Sequence, residues 1–160
     1  MIRNVRPDDA RVIAGIYNDY ILRTTISFET ETLSVEAMRA RIEEISAEYP
    51  YFVFEDGGSV VAFCYAHRWK ERRAYAQTLE TTVYVATSYV RRGIGRRMVT
   101  RLIAECRQCG FHALVACITA ENEASIKMHT DLGFKQVSIF REVGQKFGRW
   151  LDVVDLELLL

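Results

Sequence analysis

The segment that decides the fold runs from Val83-Tyr84-Val85 to Arg91-Arg92-Gly93-Ile94-Gly95-Arg96, where an apolar strand pattern gives way to a glycine-containing loop. A helical pattern follows at once, with apolar side chains at a spacing of three or four residues as far as Cys106. Glycines let backbone N–H groups approach an anion closely, and the N-terminus of a helix carries partial positive charge. The segment therefore predicts an α/β protein that binds a phosphate-bearing ligand at this loop.

Two familiar nucleotide-binding motifs do not match the loop. A Walker A loop needs Gly-x-x-x-x-Gly-Lys-Ser/Thr, which the chain lacks. A dinucleotide fingerprint needs a third glycine three places after Gly95, where Met98 stands. The glycine pair alone is thus compatible with a phosphate cradle and also with a simple tight turn.

The remaining patterns predict the elements around this segment. We expect a helix after Pro7 as far as about Ile21, a loop over 22–33, and a second helix that Ser34 caps and that ends near Ala47. Strands are predicted at 51–54, 60–69, 79–86, 114–118, 135–143 and 151–159, with a glycine hairpin turn at 56–59. Two further helices are predicted, one from 94 that ends at Gly110 and one from 122 that ends at Gly133. This order predicts a mixed α/β sheet with one parallel crossover.

Length and composition limit the class of protein. The 160 residues fit one domain, which we expect to span residues 1–160, and 49% apolar residues suffice for a buried core. The 21 basic and 21 acidic residues balance, whereas a general nucleic-acid binder carries a basic surplus. No apolar run reaches the roughly 18 residues of a membrane span, and the first residues lack a signal-peptide pattern. We therefore expect a cytoplasmic protein without a nucleic-acid or membrane partner.

The four cysteines are compatible with two interpretations. The spacing Cys106-x-x-Cys109 is compatible with a redox or metal site, but a zinc site needs a second ligand pair, and Cys64 and Cys117 do not provide one at a suitable spacing. We favour buried or half-buried thiols in a reducing compartment, and we expect no metal.

A second motif lies downstream of the glycine loop. The run Asn122-Glu123-Ala124-Ser125-Ile126-Lys127-Met128-His129 leads into Leu132-Gly133-Phe134. With the loop, it resembles the GNAT superfamily of acyl-CoA-dependent N-acetyltransferases, whose pattern is Arg/Gln-x-x-Gly-x-Gly/Ala at a helix start and then an Asn-initiated helix ending in Gly-Phe. One departure is Val90, which occupies the usual arginine or glutamine position. The resemblance implies a GNAT-type mixed, mostly antiparallel twisted sheet flanked by about four helices.

Other segments resemble one branch of that superfamily, the phosphinothricin and methionine sulfoximine acetyltransferases. They are Ile16-Tyr17-Asn18, Thr25-Ile26-Ser27-Phe28, Thr78-Leu79-Glu80-Thr81-Thr82-Val83-Tyr84-Val85 and Val143-Gly144-Gln145-Lys146-Phe147-Gly148-Arg149-Trp150-Leu151-Asp152. The resemblance spans nearly the whole chain. It implies acetyl transfer from acetyl-CoA to the α-amino group of a small amino acid or analogue, and a homodimer.

The resemblance also assigns residues to acetyl-CoA. The pyrophosphate is expected on the loop backbone, the pantetheine arm beside the strand as an added strand, and the Asn122 side-chain amide on the cofactor. Asn122 is equally suited to cap its helix. The expected cofactor-binding residues are Val83, Tyr84, Val85, Arg91, Arg92, Gly93, Ile94, Gly95, Arg96, Asn122 and Ser125.

Glu80 is the expected catalytic base. An α-amine has a pKa of about 8 and arrives mostly as ammonium, so a base must remove a proton before the amine can attack. The glutamate of the branch's Thr-x-Glu strand fits this role, although an ordinary glutamate pKa of about 4.3 requires help from burial or a water relay. A backbone N–H near Val85 is expected to polarise the thioester carbonyl. The alternative for Glu80 is an ordinary solvated strand residue.

His129 stands where many GNAT enzymes have a tyrosine that protonates the leaving thiolate. A catalytic acid, a water-positioning residue and a structural helix residue are all open for it. His67 and His112 belong to no motif, and we interpret both as structural.

Arg72 and Arg73 are the expected clamp for an acceptor carboxylate, with a solvated turn as the alternative. Phe28 and Tyr75 are expected to wall the acceptor pocket, which Lys146, Phe147 and Trp150 would close. Other acceptors, such as a peptide N-terminus, a polyamine or an antibiotic, remain alternatives, as does a non-catalytic CoA-binding regulator.

Overall fold

The computed structural model describes residues 1–160 and contains seven strands and four α-helices. The strands are β1 (Ile2–Asn4), β2 (Tyr51–Asp56), β3 (Ser59–Arg68), β4 (Thr78–Val85), β5 (Ala113–Thr119), β6 (Lys135–Lys146) and β7 (Arg149–Leu159), and the helices are α1 (Ala10–Arg23), α2 (Val35–Glu48), α3 (Ile94–Gln108) and α4 (Glu123–Asp131). The strands form one sheet in the order β1-β2-β3-β4-β5-β7-β6. Every strand pair is antiparallel except β4 with β5. The predicted mixed, mostly antiparallel sheet with four helices is confirmed.

Local differences from the prediction have simple causes. Strand β1 was missed because its three residues are too short to show a period, and pairing with 52–54 of β2 defines it. Helix α1 continues to Arg23, two residues into the predicted loop. Strand β6 continues past Val143 to Lys146 through an irregularity between Phe140 and Gly144, which alternation alone does not predict.

The two faces of the sheet carry separate apolar layers. Alternate residues of β2 and β3, such as Phe52 and Cys64, pack with Met98 and Leu102 of α3. The residues between them face α1 and α2, as Phe63 does. The strong apolar stripe on α3 explains why the helical spacing after the glycine loop was easy to identify.

Strands β4 and β5 pair over only three residues, and this places the functional site. Thr78, Leu79 and Glu80 lie opposite Ala113–Val115, and no pairing follows beyond Glu80. The two strands therefore diverge over the rest of their length and leave a gap in the middle of the sheet. Because the crossover through α3 joins these strands, the N-terminus of α3 lies beside β4, where Gly95 packs near Val85.

Helix ends follow the chemistry that the sequence indicates. The Ser34 side chain accepts from the Ala37 backbone N–H at 3.0 Å and caps α2 as predicted. Gly57 and Gly58, with φ of 57° and 82°, form the hairpin turn between β2 and β3. None of the four helices combines the length and apolar character that a membrane crossing needs.

Replacing Ser34 with alanine removes the side-chain acceptor at the start of α2. We expect Ser34→Ala to lower the free energy of unfolding by about 1 kcal/mol, because one first-turn N–H loses its partner. Urea denaturation followed by circular dichroism measures this change. The matched control is Ser46→Ala, the same change at an exposed interior position of α2, which should stay within about 0.5 kcal/mol of the parent. Equal losses in both variants would contradict the assigned cap.

Candidate active site

The gap between β4 and β5 exposes main-chain groups of β4. The Ala86 N–H donates to the Val61 carbonyl on β3. Because main-chain groups along a strand point alternately to either side, those of Val83 and Val85 point away from β3, toward the gap. The Val85 carbonyl accepts from the Tyr20 hydroxyl at 2.7 Å. The structure thus leaves the edge of β4 open at the predicted place, whereas the main chain of Tyr84 faces β3.

A cavity of about 510 Å³ occupies this gap and is lined from both faces of the sheet. Glu80, Thr82 and Tyr84 reach it from the α1–α2 face, because they lie opposite β3 residues of that face. Asn122, Ser125 and His129 enter from α4, and the segment 26–29 forms a further wall. Seven predicted site residues therefore share one cavity: Phe28, Glu80, Val83, Tyr84, Asn122, Ser125 and His129.

The Glu80 carboxyl lies half-buried among three polar neighbours. His67 stands directly opposite on β3, and Cys117 and Asp155, paired with each other on β5 and β7, approach from the other side. Burial raises the pKa of Glu80 above its ordinary value, and the negative charge of Asp155 adds to the increase. The His67 charge and the Cys117 thiol lower this pKa without reversing the shift. A carboxylate with a raised pKa is a stronger base than an exposed glutamate.

The His129 imidazole is buried at the base of the cavity. Its Nδ1 lies 2.8 Å from the Ser125 carbonyl oxygen, and its ring meets Phe134 edge-on with centroids 5.1 Å apart. Because a carbonyl only accepts, Nδ1 must carry the proton, and Nε2 is then the unprotonated nitrogen. Burial lowers the pKa of His129, and the Ser125 hydrogen bond opposes this only in part. The geometry therefore favours a neutral His129 that accepts a hydrogen bond at Nε2. It does not favour a charged imidazolium that acts as an acid.

The loop before α3 presents a row of free backbone amides. No backbone carbonyl or side chain accepts from the N–H groups of Arg91 to Arg96, and the first bond of the helix joins the Arg97 N–H to the Gly93 carbonyl. Gly93 adopts φ 74°, which favours glycine, and Arg91 also has a positive φ of 63°. Consecutive free amides at a helix N-terminus form an anion-binding concavity. This is the arrangement that the sequence predicts for a diphosphate.

The arginines of this loop make different contacts. Arg92 donates to the Ser88 carbonyl at 3.2 Å and lies over the Tyr89 ring, so it braces the loop. Arg96 lies 3.9 Å from Asp131 at the end of α4. Gly95 lies close to α4, since a Cβ there would be in ordinary van der Waals contact with Met128 Sδ at 3.5 Å. Val90, the departure from the glycine motif, is 46% exposed, and the free amides beside it do not depend on its side chain.

Asn122 caps α4 and also lines the cavity. Its side-chain carbonyl accepts from the Ser125 N–H at 3.3 Å. The side-chain NH₂ has no partner within the chain and is free to donate. The two roles considered for Asn122 are therefore geometrically compatible.

The segment Thr25–Glu29 forms a wall of the cavity and is held in place by hydrogen bonds to three neighbouring elements. The buried Lys146 amine donates to the Ser27 carbonyl at 2.6 Å, and the Thr119 hydroxyl donates to the Thr25 carbonyl at 2.7 Å. Arg41 binds Glu29 through two hydrogen bonds of 2.8 and 3.0 Å. These contacts join the segment to β5, β6 and α2 and hold the backbone around Phe28 in place, whereas none of them involves the Phe28 ring.

Arg72, Arg73 and Tyr75 do not line this cavity. They lie on the turn between β3 and β4, where Arg72 and Arg73 are exposed and form no salt bridge. Tyr75 packs edge-on against Trp69, with ring centroids 5.4 Å apart. The structure thus separates these three predicted acceptor residues from Phe28.

The cysteines differ from the prediction in part. Cys64 and Cys106 are buried, as predicted, but Cys109 and Cys117 are exposed, and all four are free thiols. Cys117 faces the cavity. Its position on β5 near Glu80 permits this, but the composition of the chain did not indicate it. No group of three or more histidine, cysteine, aspartate or glutamate side chains is placed to hold a metal ion.

Sequence reasoning also missed the contact of Tyr20 with the open edge of β4. Tyr20 lies on the predicted first helix, and its hydroxyl reaches the Val85 carbonyl, 65 positions away. A contact at that separation has no local sequence signal.

Residues 2–154 match the family described as an acetyltransferase (GNAT) domain. The L-amino acid N-acyltransferase MnaT of Escherichia coli is 37% identical over 99% of this chain and 93% of its own length. The phosphinothricin N-acetyltransferase of Alcaligenes faecalis is 37% identical over 96% of this chain and 79% of its own. The L-methionine sulfoximine/L-methionine sulfone acetyltransferase of Salmonella typhimurium is 36% identical over 99% of this chain and 94% of its own length.

A solved structure has the same fold with its cofactor bound. The yncA protein of Salmonella typhimurium, determined with acetyl-CoA, superposes with a TM-score of 0.98 at 35% identity and covers 100% of this chain and 93% of its own.

The His129 geometry predicts a specific protonation state. We expect the imidazole to be neutral at pH 7 with the proton on Nδ1, because burial disfavours the charged ring and the Ser125 carbonyl requires a donor. Long-range ¹H–¹⁵N NMR correlations distinguish the two tautomers and the imidazolium. His67→Gln and His112→Gln assign the three histidine signals. A proton on Nε2, or a charged ring at pH 7, would contradict the geometry.

Proposed function

The chain belongs to the GNAT family of N-acetyltransferases and uses acetyl-CoA, and we propose that it moves the acetyl group to the α-amino group of a small amino acid or analogue. Phosphinothricin, methionine sulfoximine and methionine sulfone are the proposed acceptors, with residues 1–160 acting as one catalytic domain. The observation that carries the proposal is the cavity between β4 and β5, which brings an open strand edge and a half-buried carboxylate together. The names of the relatives support this acceptor class.

The free amides before α3 are proposed to hold the pyrophosphate of acetyl-CoA. The N–H groups of Arg91, Arg92, Gly93, Ile94, Gly95 and Arg96 have no competing partner, so binding costs no internal hydrogen bond. Main-chain groups of Val83 would bind the pantetheine arm as an added strand, the N–H of Val85 would face the thioester carbonyl, and the Asn122 side-chain NH₂ would donate to the arm. Tyr84 and Ser125 line the same cavity. When bound, acetyl-CoA supplies the activated acyl group.

Glu80 is proposed to take the proton from the acceptor's ammonium group. The freed lone pair forms the C–N bond at the thioester carbonyl, and the C–S bond breaks as the thiolate leaves with its electron pair. The nitrogen then releases a second proton, to water or to the leaving thiolate, and the neutral amide remains. The raised pKa of Glu80 brings its basicity closer to that of the amine, which lowers the energy cost of the transfer. The attack is direct, without a covalent acyl-enzyme.

The Val85 N–H is the proposed donor to the developing oxyanion, because it points into the gap and β5 does not pair with it. The leaving thiolate has a conjugate acid with a pKa of about 8.5, so protonation by water can suffice. For His129 we propose that neutral Nε2 positions a water in the cavity, in agreement with its lowered pKa.

Phe28 is proposed to wall the acceptor pocket, where it lies against Gly144. Arg72 and Arg73 lie outside this cavity, so the predicted clamp for the acceptor carboxylate is not part of the proposal, because that carboxylate shares one carbon with the amine that Glu80 must reach. Tyr75 would stabilise the turn that bears them, through its contact with Trp69.

A homodimer is proposed from the surface of the last hairpin. Val137, Phe140, Val143, Phe147 and Trp150 are each more than half exposed on β6, β7 and the turn between them. Several large apolar side chains on one exposed edge of a sheet favour association with a second copy.

The central test removes the base from Glu80 while preserving its shape. Glu80→Gln should lower kcat for phosphinothricin or methionine sulfoximine by about 10²-fold, because the amide cannot accept the proton. Thiol release from acetyl-CoA, followed with a panel of amino acids and analogues, measures the rate. Calorimetric affinity for acetyl-CoA should be unchanged.

The control is Glu43→Gln, the same change at an exposed position of α2. It should retain the kcat of the parent. If Glu80→Gln keeps full activity, Glu80 is not the base. If the parent binds acetyl-CoA and acetylates none of the panel, the proposed acceptor class is wrong and a binding regulator is favoured.

A methyl group at Gly144 tests the role of Phe28. It would overlap the Phe28 ring, which is 42% exposed and free to move aside. Gly144→Ala should therefore raise the KM for the acceptor several-fold and leave the KM for acetyl-CoA unchanged. Gly15→Ala is the control, because no atom lies within 4 Å of the added methyl group there. An unchanged KM for the acceptor would show that Phe28 does not wall the acceptor pocket.

A further inference from the structure

A second cavity adjoins the first beneath α2. Its volume is about 540 Å³, and it shares two lining residues, Tyr65 and His67 on β3, with the cavity in the gap. Its other walls come from α2 and from the turn after β3. Tyr65 is 9% exposed and buried in the aromatic layer, whereas His67 is more exposed. The imidazole of His67 therefore lies at the connection between the two cavities.

The position of His67 relative to Glu80 is fixed by strand pairing. The two residues are direct partners in the antiparallel register of β3 and β4. Side chains of such partners share a face of the sheet, with Cβ atoms about 5 Å apart. This distance allows contact directly or through one water.

The hydrogen bonding of His67 leaves one nitrogen free to accept a proton. Nδ1 lies 2.9 Å from the Arg68 carbonyl oxygen, which can only accept, so the neutral ring carries its proton on Nδ1. Nε2 then holds the lone pair. No side chain or backbone group of the chain donates to it.

The proposed base needs a route by which its proton can leave. Glu80 is half-buried, and Cys117 and Asp155 on its other side do not line the second cavity. Burial and the neighbouring carboxylates raise the pKa of Cys117, so its thiol holds its own proton. Asp155 accepts from the Ser138 hydroxyl at 2.9 Å and carries like charge toward Glu80. Tyr65 also lines both cavities, but burial raises the pKa of its phenol, which leaves the His67 imidazole as the proton acceptor that contacts both.

We propose that His67 accepts the acceptor-derived proton from Glu80 and passes it to water in the second cavity. This inference rests on the proposed function of Glu80 as base. In the first transfer, a substrate N–H bond breaks and a Glu80 O–H bond forms. In the second, that O–H bond breaks and an Nε2–H bond forms, giving an imidazolium and restoring the carboxylate. The imidazolium then loses this proton to water, and the cycle leaves both side chains unchanged.

The charges around the pair suit such a transfer. Burial raises the pKa of the Glu80 carboxyl, and the negative charge of Asp155 acts in the same direction. The titratable or charged groups that face the pair are Glu29, Tyr65, Arg68, Glu71, Cys117 and Asp155, together with Arg41, Glu44, Glu48 and Tyr49 across the second cavity. Arg41 is held by Glu29 and Arg68 by Glu71, whereas Glu44 and Glu48 form no salt bridge. These two free carboxylates favour a transient positive charge on the ring.

The test uses His67→Gln and His67→Ala in the full chain, with His112→Gln as the matched control at an exposed histidine. Both His67 variants should lose kcat for the acceptor by about 5- to 10-fold, less than the roughly 10² expected for loss of the base itself. The KM for acetyl-CoA should not change. Added imidazole should restore the rate of His67→Ala, because the vacated space opens on the second cavity, and should not restore Glu80→Gln.

A second readout needs no acceptor. The Glu80 carboxyl is followed by ¹³C NMR titration, with Glu80→Gln to assign its signal. Because the His67 charge lowers the pKa of Glu80, His67→Gln should raise that pKa further, whereas His112→Gln should not. Thermal unfolding checks that each variant is folded.

The outcomes separate this inference from the proposed function. A kcat of His67→Gln within twofold of the parent from pH 6 to 9, or an unchanged Glu80 titration, overturns the role of His67 even where the parent acetylates amino acids. A parent inactive toward every amino acid, with the Glu80 titration shifted as expected, overturns the acceptor class and supports the coupling of His67 to Glu80. Full activity of Glu80→Gln overturns the base and the relay together.

Discussion

The short parallel pairing of β4 with β5 is the constraint on which the rest of the molecule depends. Three residues of each strand pair, and the strands then diverge. Continued pairing would have covered the main chain of Val83 and Val85 and filled the gap with side chains. Divergence instead leaves the cavity, and its cost is limited because Tyr20 satisfies the Val85 carbonyl and the segment Thr25–Glu29 closes one wall.

Much of this arrangement could be predicted from sequence because it depends on local patterns. The helix caps, the hairpin turn and the strand–glycine loop–helix unit each have a signal within a few residues, as Ser34 and Gly93 illustrate. Contacts between distant segments could not be predicted in this way. Lys146 reaches Ser27 across 119 positions, and only the folded sheet brings them together. The placement of Arg72 outside the cavity likewise depends on the path of a turn that composition does not specify.

Burial explains why the two central titratable groups behave differently although both are removed from water. For Glu80, burial favours the neutral acid and makes the carboxylate a better base. For His129, the same burial favours the neutral ring and makes a proton donor costly. Under the proposed function, one physical effect thus separates a proton acceptor, Glu80, from a residue that positions water, His129. The inferred relay would connect Glu80 with solvent through His67.

The cavity is lined from both faces of the sheet, and this has a consequence for the kinetic order of the reaction. Under the proposed function, the donor approaches along the α3 side and the acceptor along the α1–α2 side, so neither blocks the path of the other. Both can be present together, and initial-rate plots against either substrate should intersect, as in a sequential rather than a ping-pong scheme. Burial, and then the neighbouring carboxylates, raise the pKa of the Cys117 thiol in this cavity, so it keeps its proton and is a poor nucleophile for forming an acyl-enzyme.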